Sequence, residues 1–198
     1  RARRAYLGGH HSRGPRLMAV DEKYGRVVLL SGGVDSAFLA FRLGNRFPKS
    51  LGLYVDYGQP AAGREEKSAR IIAQAAQLDF KKVTTSGMPL GGMSEENDGP
   101  CVVPSRNLYL VALASALAEE VFIGATPQDR QSYPDCRDEF FDALNVAMES
   151  VDSVVRYSDA TRQERVEWLE DMGFLKFTWS CYFPSDDGPC GQCASCSQ

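Results

Sequence analysis

Two clusters in this chain hold residues whose types and spacing could do chemistry. The first is Ser31-Gly32-Gly33-Val34-Asp35-Ser36, set between the apolar run Val27-Val28-Leu29-Leu30 and a stretch with helical spacing. Glycines let backbone N–H groups approach an anion, and a helix N-terminus adds unpaired donors and a favourable dipole. Ser31 and Ser36 supply hydroxyls, and Val34 lies with Asp35 in the loop between them. Strand, Ser-Gly-Gly turn and helix in direct succession predict a phosphate-binding loop. The loop holds no lysine and fits neither Gly-x-x-x-x-Gly-Lys-Ser/Thr nor Gly-x-Gly-x-x-Gly. Asp35 is the unusual member, because a carboxylate repels phosphate unless a cation lies between them. That argues for Mg²⁺ bridging Asp35 to a polyphosphate. Simple capping of the helix by Asp35 or Ser36 is the plainer reading and is compatible with the first, although capping needs no glycine pair.

The second cluster is Cys181, Cys190, Cys193 and Cys196, spaced C-x8-C-x2-C-x2-C, so that four of the six cysteines fall in the last eighteen residues. A C-x-x-C step lets two thiolates reach one tetrahedral ion, and Gly191 eases that turn. Pro184, Gly188 and Pro189 bring the chain back from Cys181. Four thiolates make a closed structural zinc site with no open catalytic position. An iron–sulfur cluster uses similar runs, and paired disulfides are the third reading. Clustering at one end favours a metal site in a reducing compartment over a disulfide framework. Cys101 and Cys136 remain, and read as buried thiols rather than nucleophiles.

The elements that must position these clusters alternate between strand and helix. Val27 to Leu30 reads as a buried strand, Ser36 to Phe47 as a largely buried helix, and Leu51 to Val55 as a second strand. Arg64 to Leu78 reads as a helix with Ile71, Ile72, Ala75 and Leu78 on one side, and Phe80 to Val83 as a third strand. A loop is expected over Thr84 to Val103, then a helix from Arg106 to Glu120 directly abutting a strand from Val121 to Gly124. Such connections normally need about 2–6 residues. Asp138 to Met148 is amphipathic with Phe140, Phe141 and Leu144 inward, and Thr161 with Glu164 predicts a capping box for a helix ending at Gly173. The alternation predicts βαβ units and a parallel sheet, hence an α/β fold.

The chain has 198 residues, 22 basic against 26 acidic, and a net charge of −4. That balance gives no general attraction to nucleic acid or to an anionic membrane. No apolar run approaches the roughly 20 residues that span a bilayer, and a cytoplasmic protein is expected. The opening stretch holds five arginines and both histidines without apolar periodicity. Residues 1–25 are therefore expected to form a flexible extension, residues 26–173 a phosphate-binding α/β domain, and residues 174–198 a zinc-binding element.

Ser31 to Ser36 resembles the SGGxDS signature of the PP-loop ATP pyrophosphatases, whose fold is of the adenine nucleotide alpha hydrolase type. The resemblance implies an ATP site in which β,γ-pyrophosphate leaves as AMP is transferred to a substrate oxygen. Five further segments resemble the 7-cyano-7-deazaguanine synthases of queuosine biosynthesis: Val55 to Gln59, Val103 to Asn107, Tyr133 to Phe140, Thr178 to Tyr182, and the Cys190 to Cys196 knuckle. That family usually has glycine where Ser105 stands, and basic or polar residues where Pro60 and Ala61 stand; Gly124 to Ser132 also differs.

What the resemblance implies is an ATP-dependent ligase that adenylates 7-carboxy-7-deazaguanine and, with ammonia, converts the carboxylate to a nitrile. The family tends to form homodimers. Asp35, on Mg²⁺, and Arg106 become the catalytic candidates, with Arg106 pairing with the α-phosphate or the substrate carboxylate. Asp56 and Asp135 are candidates to receive the N–H edge of the base or to hold metal, with a turn or cap as the plain alternative. Tyr57 and Tyr133 are candidates to stack on the base, or are simply core. Two other outcomes keep the ATP chemistry: a divergent relative that passes the adenylated carboxylate to a protein amine, and a tRNA-thiolating enzyme. A nucleotide-sensing or zinc-ribbon interaction module is the non-enzymatic one.

Overall fold

The computed structural model describes residues 24–44, 46–47, 49–93 and 101–196. Most of the expected N-terminal extension lies outside them, and so does the middle of the loop expected between Thr84 and Val103. Five strands form one all-parallel sheet: β1 (Tyr24–Leu29), β2 (Ser50–Asp56), β3 (Asp79–Thr84), β4 (Ala118–Phe122) and β5 (Val154–Arg156), in the order β3-β2-β1-β4-β5. The helices are α1 (Val34–Gly44), α2 (Ala62–Ala75), α3 (Arg106–Ser115), the single turn α4 (Asp129–Ser132), α5 (Asp138–Glu149) and α6 (Arg162–Asp171). None of them is long and apolar enough to cross a membrane.

The central strand explains why its sequence runs apolar without alternation. Val27 and Leu29 face one core with Leu51, Leu53, Val111, Val121 and Phe141, while Val28 and Leu30 face the other with Phe38, Phe41, Ile72 and Leu169. A parallel strand covered on both faces requires apolar residues at every position. The second core is completed by aromatic contacts that bind α6 and the segment after it to α1. Phe38 meets Trp168 edge-on at 5.5 Å between centroids, and Phe41 lies 4.2 Å from Phe174. The C-terminal cysteine segment packs on the opposite side, where Cys181, Phe183 and Cys193 are buried with Val111 and Phe141.

Several boundaries differ from expectation, each for a tertiary reason. The helix expected to Glu120 stops at Ser115, and β4 begins at Ala118 rather than Val121. Two residues therefore connect them, within the usual range. Helix-favouring residues continue past Ser115, but Tyr24 N–H donates to Leu117 O at 2.8 Å and β4 pairs with β1 from Ala118, so sheet pairing overrides propensity. α1 begins at Val34 and ends at Gly44, short of Phe47. In α2 the buried stripe runs through Ser68, Ala69, Ile72 and Ala73, and Ala75 is exposed. The capping box of α6 is as expected: Thr161 N–H donates to Glu164 Oε2 at 2.7 Å, and Glu164 N–H donates to Thr161 Oγ1 at 3.3 Å.

Ser105 precedes α3 with φ 58° and ψ 18°, in the left-handed region. A side chain there costs roughly 1–2 kcal/mol that glycine avoids, which accounts for the glycine usual at this place in the resembling family. Ser105→Gly is expected to leave stability unchanged or raise it by up to about 1 kcal/mol, and Ser105→Val to lower it by about 1–2 kcal/mol. Urea unfolding of the two variants beside the parent chain measures both.

Candidate active site

In a parallel sheet of this order the chain leaves β1 and β4 toward opposite faces, and their C-terminal ends frame a crevice. The loop from Ser31 to Ser36 lies there, and α1 starts inside it at Val34. Gly32 has φ 84°, and a Cβ on it would lie 2.6 Å from Glu65 O and 2.8 Å from Ser68 Cβ, so only glycine lets the loop pass over the start of α2. Gly124, just beyond β4, approaches as closely from the other side, with Asp35 Cβ and Ser36 N each 3.1 Å from where its Cβ would stand. Within the loop, Ser36 Oγ donates to Gly33 O at 3.0 Å and lies 3.2 Å from Ser31 Oγ. The loop also receives Trp179 N–H on Gly32 O at 2.9 Å, which ties it to the residue two before the first clustered cysteine.

The loop faces a cavity of about 230 Å³. Ser31, Gly33, Val34, Asp35 and Ser36 line one part of it, and Tyr57, Arg106 and Tyr133 line it too, so most of the expected site residues are brought together. Arg106, at the first turn of α3, hydrogen-bonds the Tyr57 hydroxyl. Burial opposes its charge, but Tyr57, Tyr182 and Asp135 outweigh that and hold its pKa above the ordinary value.

Asp56 and Asp135 do not line the cavity. Asp56 Oδ1 accepts Gly58 N–H at 3.1 Å, and its Oδ2 pairs with Lys82 at 3.0 Å. The hydrogen bond from Lys82 holds that carboxyl below its usual range. Asp135 Oδ2 accepts Asn107 N–H at 3.1 Å and its carbonyl accepts Asn107 Nδ2 at 2.9 Å, so it caps α3 from outside and steadies Arg106 next door.

The residues that sequence reasoning missed are those that neutralise and frame the loop. Arg162 pairs with Asp35 Oδ2 at 3.1 Å and Arg165 with Oδ1 at 3.2 Å. Burial raises the Asp35 carboxyl above its ordinary range, against the pull of both arginines. The two guanidiniums have unequal surroundings. Arg165 is 0% exposed and donates also to the carbonyls of Gly124, Ala125, Ser158 and Ala160 at 2.8–3.2 Å. Arg162 is 28% exposed and lines the cavity. An arginine three residues into a helix, on the side that also buries Leu169, was the available signal.

A second missed group lies under the Tyr57 turn. Gln59 is buried, accepts Tyr57 N–H at 3.0 Å, and donates to Val55 O at 3.3 Å and to Glu65 Oε2 at 2.7 Å. Tyr54 OH lies 3.4 Å from the same Glu65 oxygen, and Glu65 lines the cavity.

All six cysteines are free thiols, which sets aside disulfide pairing. The sulfurs of Cys181, Cys190, Cys193 and Cys196 lie within 4.8 Å of one another, with Cys181–Cys190 and Cys193–Cys196 at 3.5 Å. Four thiolates about 2.3 Å from one tetrahedral ion stand about 3.8 Å apart, so this set fits a single metal ion. Thiolates on the four separate irons of a cluster would stand farther apart. Tyr182 and Ser195, from the same segment, line the cavity. Cys101 and Cys136 are both buried, and burial with Asp129 and Asp135 nearby pushes the Cys136 thiol up to about 12, so it is no nucleophile.

Comparison with known proteins agrees with this geometry. The family described as "Queuosine biosynthesis protein QueC" matches residues 25–198. A 7-cyano-7-deazaguanine synthase from Methanoculleus marisnigri is 33% identical over 86% of this chain and 89% of its own length. Proteins of the same name from Archaeoglobus fulgidus and Koribacter versatilis are 32% and 30% identical, over 82% and 84% of theirs. Among solved structures, the U34-tRNA thiolase NcsA from Methanococcus maripaludis, with its [4Fe-4S] cluster, superposes with a TM-score of 0.53 at 16% identity. That match covers 86% of this chain and 63% of NcsA, and it speaks to the PP-loop fold alone.

The unequal arginines give a stability prediction. Arg165→Leu removes the donor from four buried carbonyls and one carboxylate and is expected to cost about 3 kcal/mol or more. Arg162→Leu is expected to cost less than about 1 kcal/mol. Denaturant unfolding of the two variants side by side provides the measurement.

Proposed function

The chain belongs to the queuosine biosynthesis protein QueC family, and from that premise we propose that it is an ATP-dependent 7-cyano-7-deazaguanine synthase. The observation that supports this most is one cavity shared by an anion-binding loop and by Arg106 set among Tyr57, Tyr133 and Tyr182. In this reading the substrate is 7-carboxy-7-deazaguanine. Its carboxylate oxygen attacks the α-phosphate of ATP, pyrophosphate leaves, and ammonia displaces AMP to give the amide. A second adenylation, on the amide oxygen, makes AMP a leaving group again, and its departure leaves the nitrile.

Each residue has a part in this chemistry. Ser31, Gly32, Gly33, Val34 and Ser36 surround the pyrophosphate with N–H and O–H donors at the start of α1. Arg106 pairs with the substrate carboxylate or the α-phosphate, where a fork of N–H donors matches two oxygens. Tyr57 and Tyr133 flank the flat base, and Tyr182 closes the wall from the cysteine segment. Asp56 and Asp135 act at one remove, through the turn that presents Tyr57 and the cap that steadies α3.

Mg²⁺ arriving with ATP would be held by Asp35, with Asp129 on the same cavity wall. Asp129 is near enough to raise the Asp35 carboxyl, and a divalent cation with oxygen ligands relieves that repulsion. When bound, the ion neutralises polyphosphate charge. Zinc fits the four thiolates and would fasten the segment that carries Trp179, Tyr182 and Ser195. A second copy of the chain is the proposed cover for the exposed apolar side of α3, where Leu108 and Tyr109 are 44% and 40% exposed.

Incubation of the pure chain with Mg-ATP, 7-carboxy-7-deazaguanine and ammonium, followed by mass spectrometry, tests the reading. Nitrile and AMP in a 1:2 ratio are expected, with kcat/KM falling about 10²-fold or more in Arg106→Ala. AMP without nitrile would point to another acceptor, and neither product would overturn the assignment. Elemental analysis is expected to find one zinc per chain, lost in Cys193→Ser. Its removal should lower the melting temperature by roughly 5 °C or more, the shift that about 2 kcal/mol gives in a chain of this size.

A further inference from the structure

The nitrile nitrogen carries none of ammonia's three protons. One proton leaves when ammonia forms its C–N bond and AMP departs with the C–O electron pair. Two leave when the adenylated amide loses its second AMP. Each departure needs a base at the nitrogen, and general-base help of this kind is worth about 10²–10⁴ in rate. The cavity offers few groups able to act.

Both oxygens of Asp35 are ion-paired, to Arg162 and Arg165. Asp129 stands with Asp35 on the wall where Mg²⁺ would be held, so a bound cation would claim its carboxylate, whose Oδ2 also accepts Thr126 N–H and Oγ1–H at 2.8 and 2.7 Å. Tyr57, Tyr133 and Tyr182 are held by burial above the ordinary phenol value, so they stay protonated and cannot accept. The Cys136 thiol is pushed up to about 12, and Arg106 and Arg162 carry positive charge.

Glu65 differs from all of these. It lines the same cavity, and its backbone carbonyl packs against Gly32 of the phosphate loop. Gln59 and Tyr54 both hold Oε2, at 2.7 and 3.4 Å, and Gln59 is itself fixed by Tyr57 N–H. Among the described residues no ion pair claims this carboxylate and no hydrogen bond occupies Oε1. The side chain is thus anchored by one oxygen and presents the other. Resting on the synthase reading, we propose that Glu65 is the general base that takes the protons from the acceptor nitrogen. In each step the N–H bond breaks to the Glu65 carboxylate, the nitrogen keeps the electron pair for its bond to carbon, and the carboxylic acid then releases its proton to solvent.

The groups that face Glu65 are Arg106 from α3, Tyr54 and Asp56 from β2, and Gln59 and Tyr57 from the turn. Burial, the largest influence, raises its carboxyl above the ordinary range, while Gln59, Arg106 and Tyr54 pull it down. Because the base must be ionised, nitrile formation should rise with pH through that raised range.

The test compares the parent chain with Glu65→Gln and Glu65→Asp in two assays. Substrate-dependent exchange of pyrophosphate into ATP, without ammonium, reads the first adenylation, which releases no proton. Nitrile formation with ammonium reads the steps that do. Glu65→Gln is expected to keep exchange within about threefold, to lose nitrile formation by about 10²–10⁴-fold and to lose the acid limb of its pH profile, with Glu65→Asp recovering part of both. Equal losses in the two assays would overturn the proposal, leaving Glu65 as a residue that only shapes the cavity, and so would nitrile at the parent rate. Absence of exchange in the parent chain would overturn the synthase reading itself. Melting temperatures of both variants separate a chemical defect from a folding one.

Discussion

The ion pair between Asp35 and Arg165 is the interaction on which the site depends. It joins the first turn of α1, the exit from β4 and the first turn of α6 through a single guanidinium that is 0% exposed. Either group alone at that depth would carry the cost of an uncompensated charge. Together they allow an acidic residue inside a glycine loop at the start of a helix. Arg162 completes the arrangement as the more open partner, so more positive charge stands beside the loop than its own six residues provide.

A second tie runs from the loop to the cysteine segment. Trp179 N–H bonds Gly32 O, Trp179 Nε1 donates to Cys181 O at 2.8 Å, and Tyr182 and Ser195 line the cavity. The four thiols therefore sit behind a wall of the cavity and do more than fasten a tail. A metal ion held there would organise the chain on both sides of Cys181, and the Ser31–Ser36 loop is one hydrogen bond away. The cavity and the cysteine knuckle are parts of one structure, although the sequence presents them at opposite ends.

What could be read in the sequence was what is written in contiguous residues. The Ser-Gly-Gly loop, the C-x-x-C steps and the Thr161–Glu164 capping box each need only a few neighbours, and each stands where it was expected. Continuous apolar runs likewise announced strands buried on two faces. Arg162 and Arg165 were not legible because their partner Asp35 is distant in the chain, and Glu65 and Gln59 because only the turn between β2 and α2 folds them onto one another. Charged side chains on a helix most often face water, and the one local mark against that, Arg165 on the side of α6 that buries Leu169, does not name its partner. The α3–β4 boundary failed for a related reason: Ala116 to Glu120 favour a helix by propensity, and only the pairing of Ala118 with Tyr24 decides otherwise.

The separation between the partners in this site bears on how the chain comes to be folded. Asp35 meets Arg162 and Arg165 across 127 and 130 residues, and the loop meets Trp179 across a still longer span. During synthesis the Ser31–Ser36 loop emerges before the groups that neutralise and wall it. Strands β1 to β3 with α1 and α2 can pair as they appear, but the cavity has no complete boundary until the cysteine segment arrives. Contacts of such long range are slow to form, since chain entropy is lost before they return any stability. The nascent chain thus holds an unneutralised Asp35 at the edge of a half-built sheet, which makes the interval before α6 and the cysteine segment emerge the one in which this fold is most exposed to misassociation.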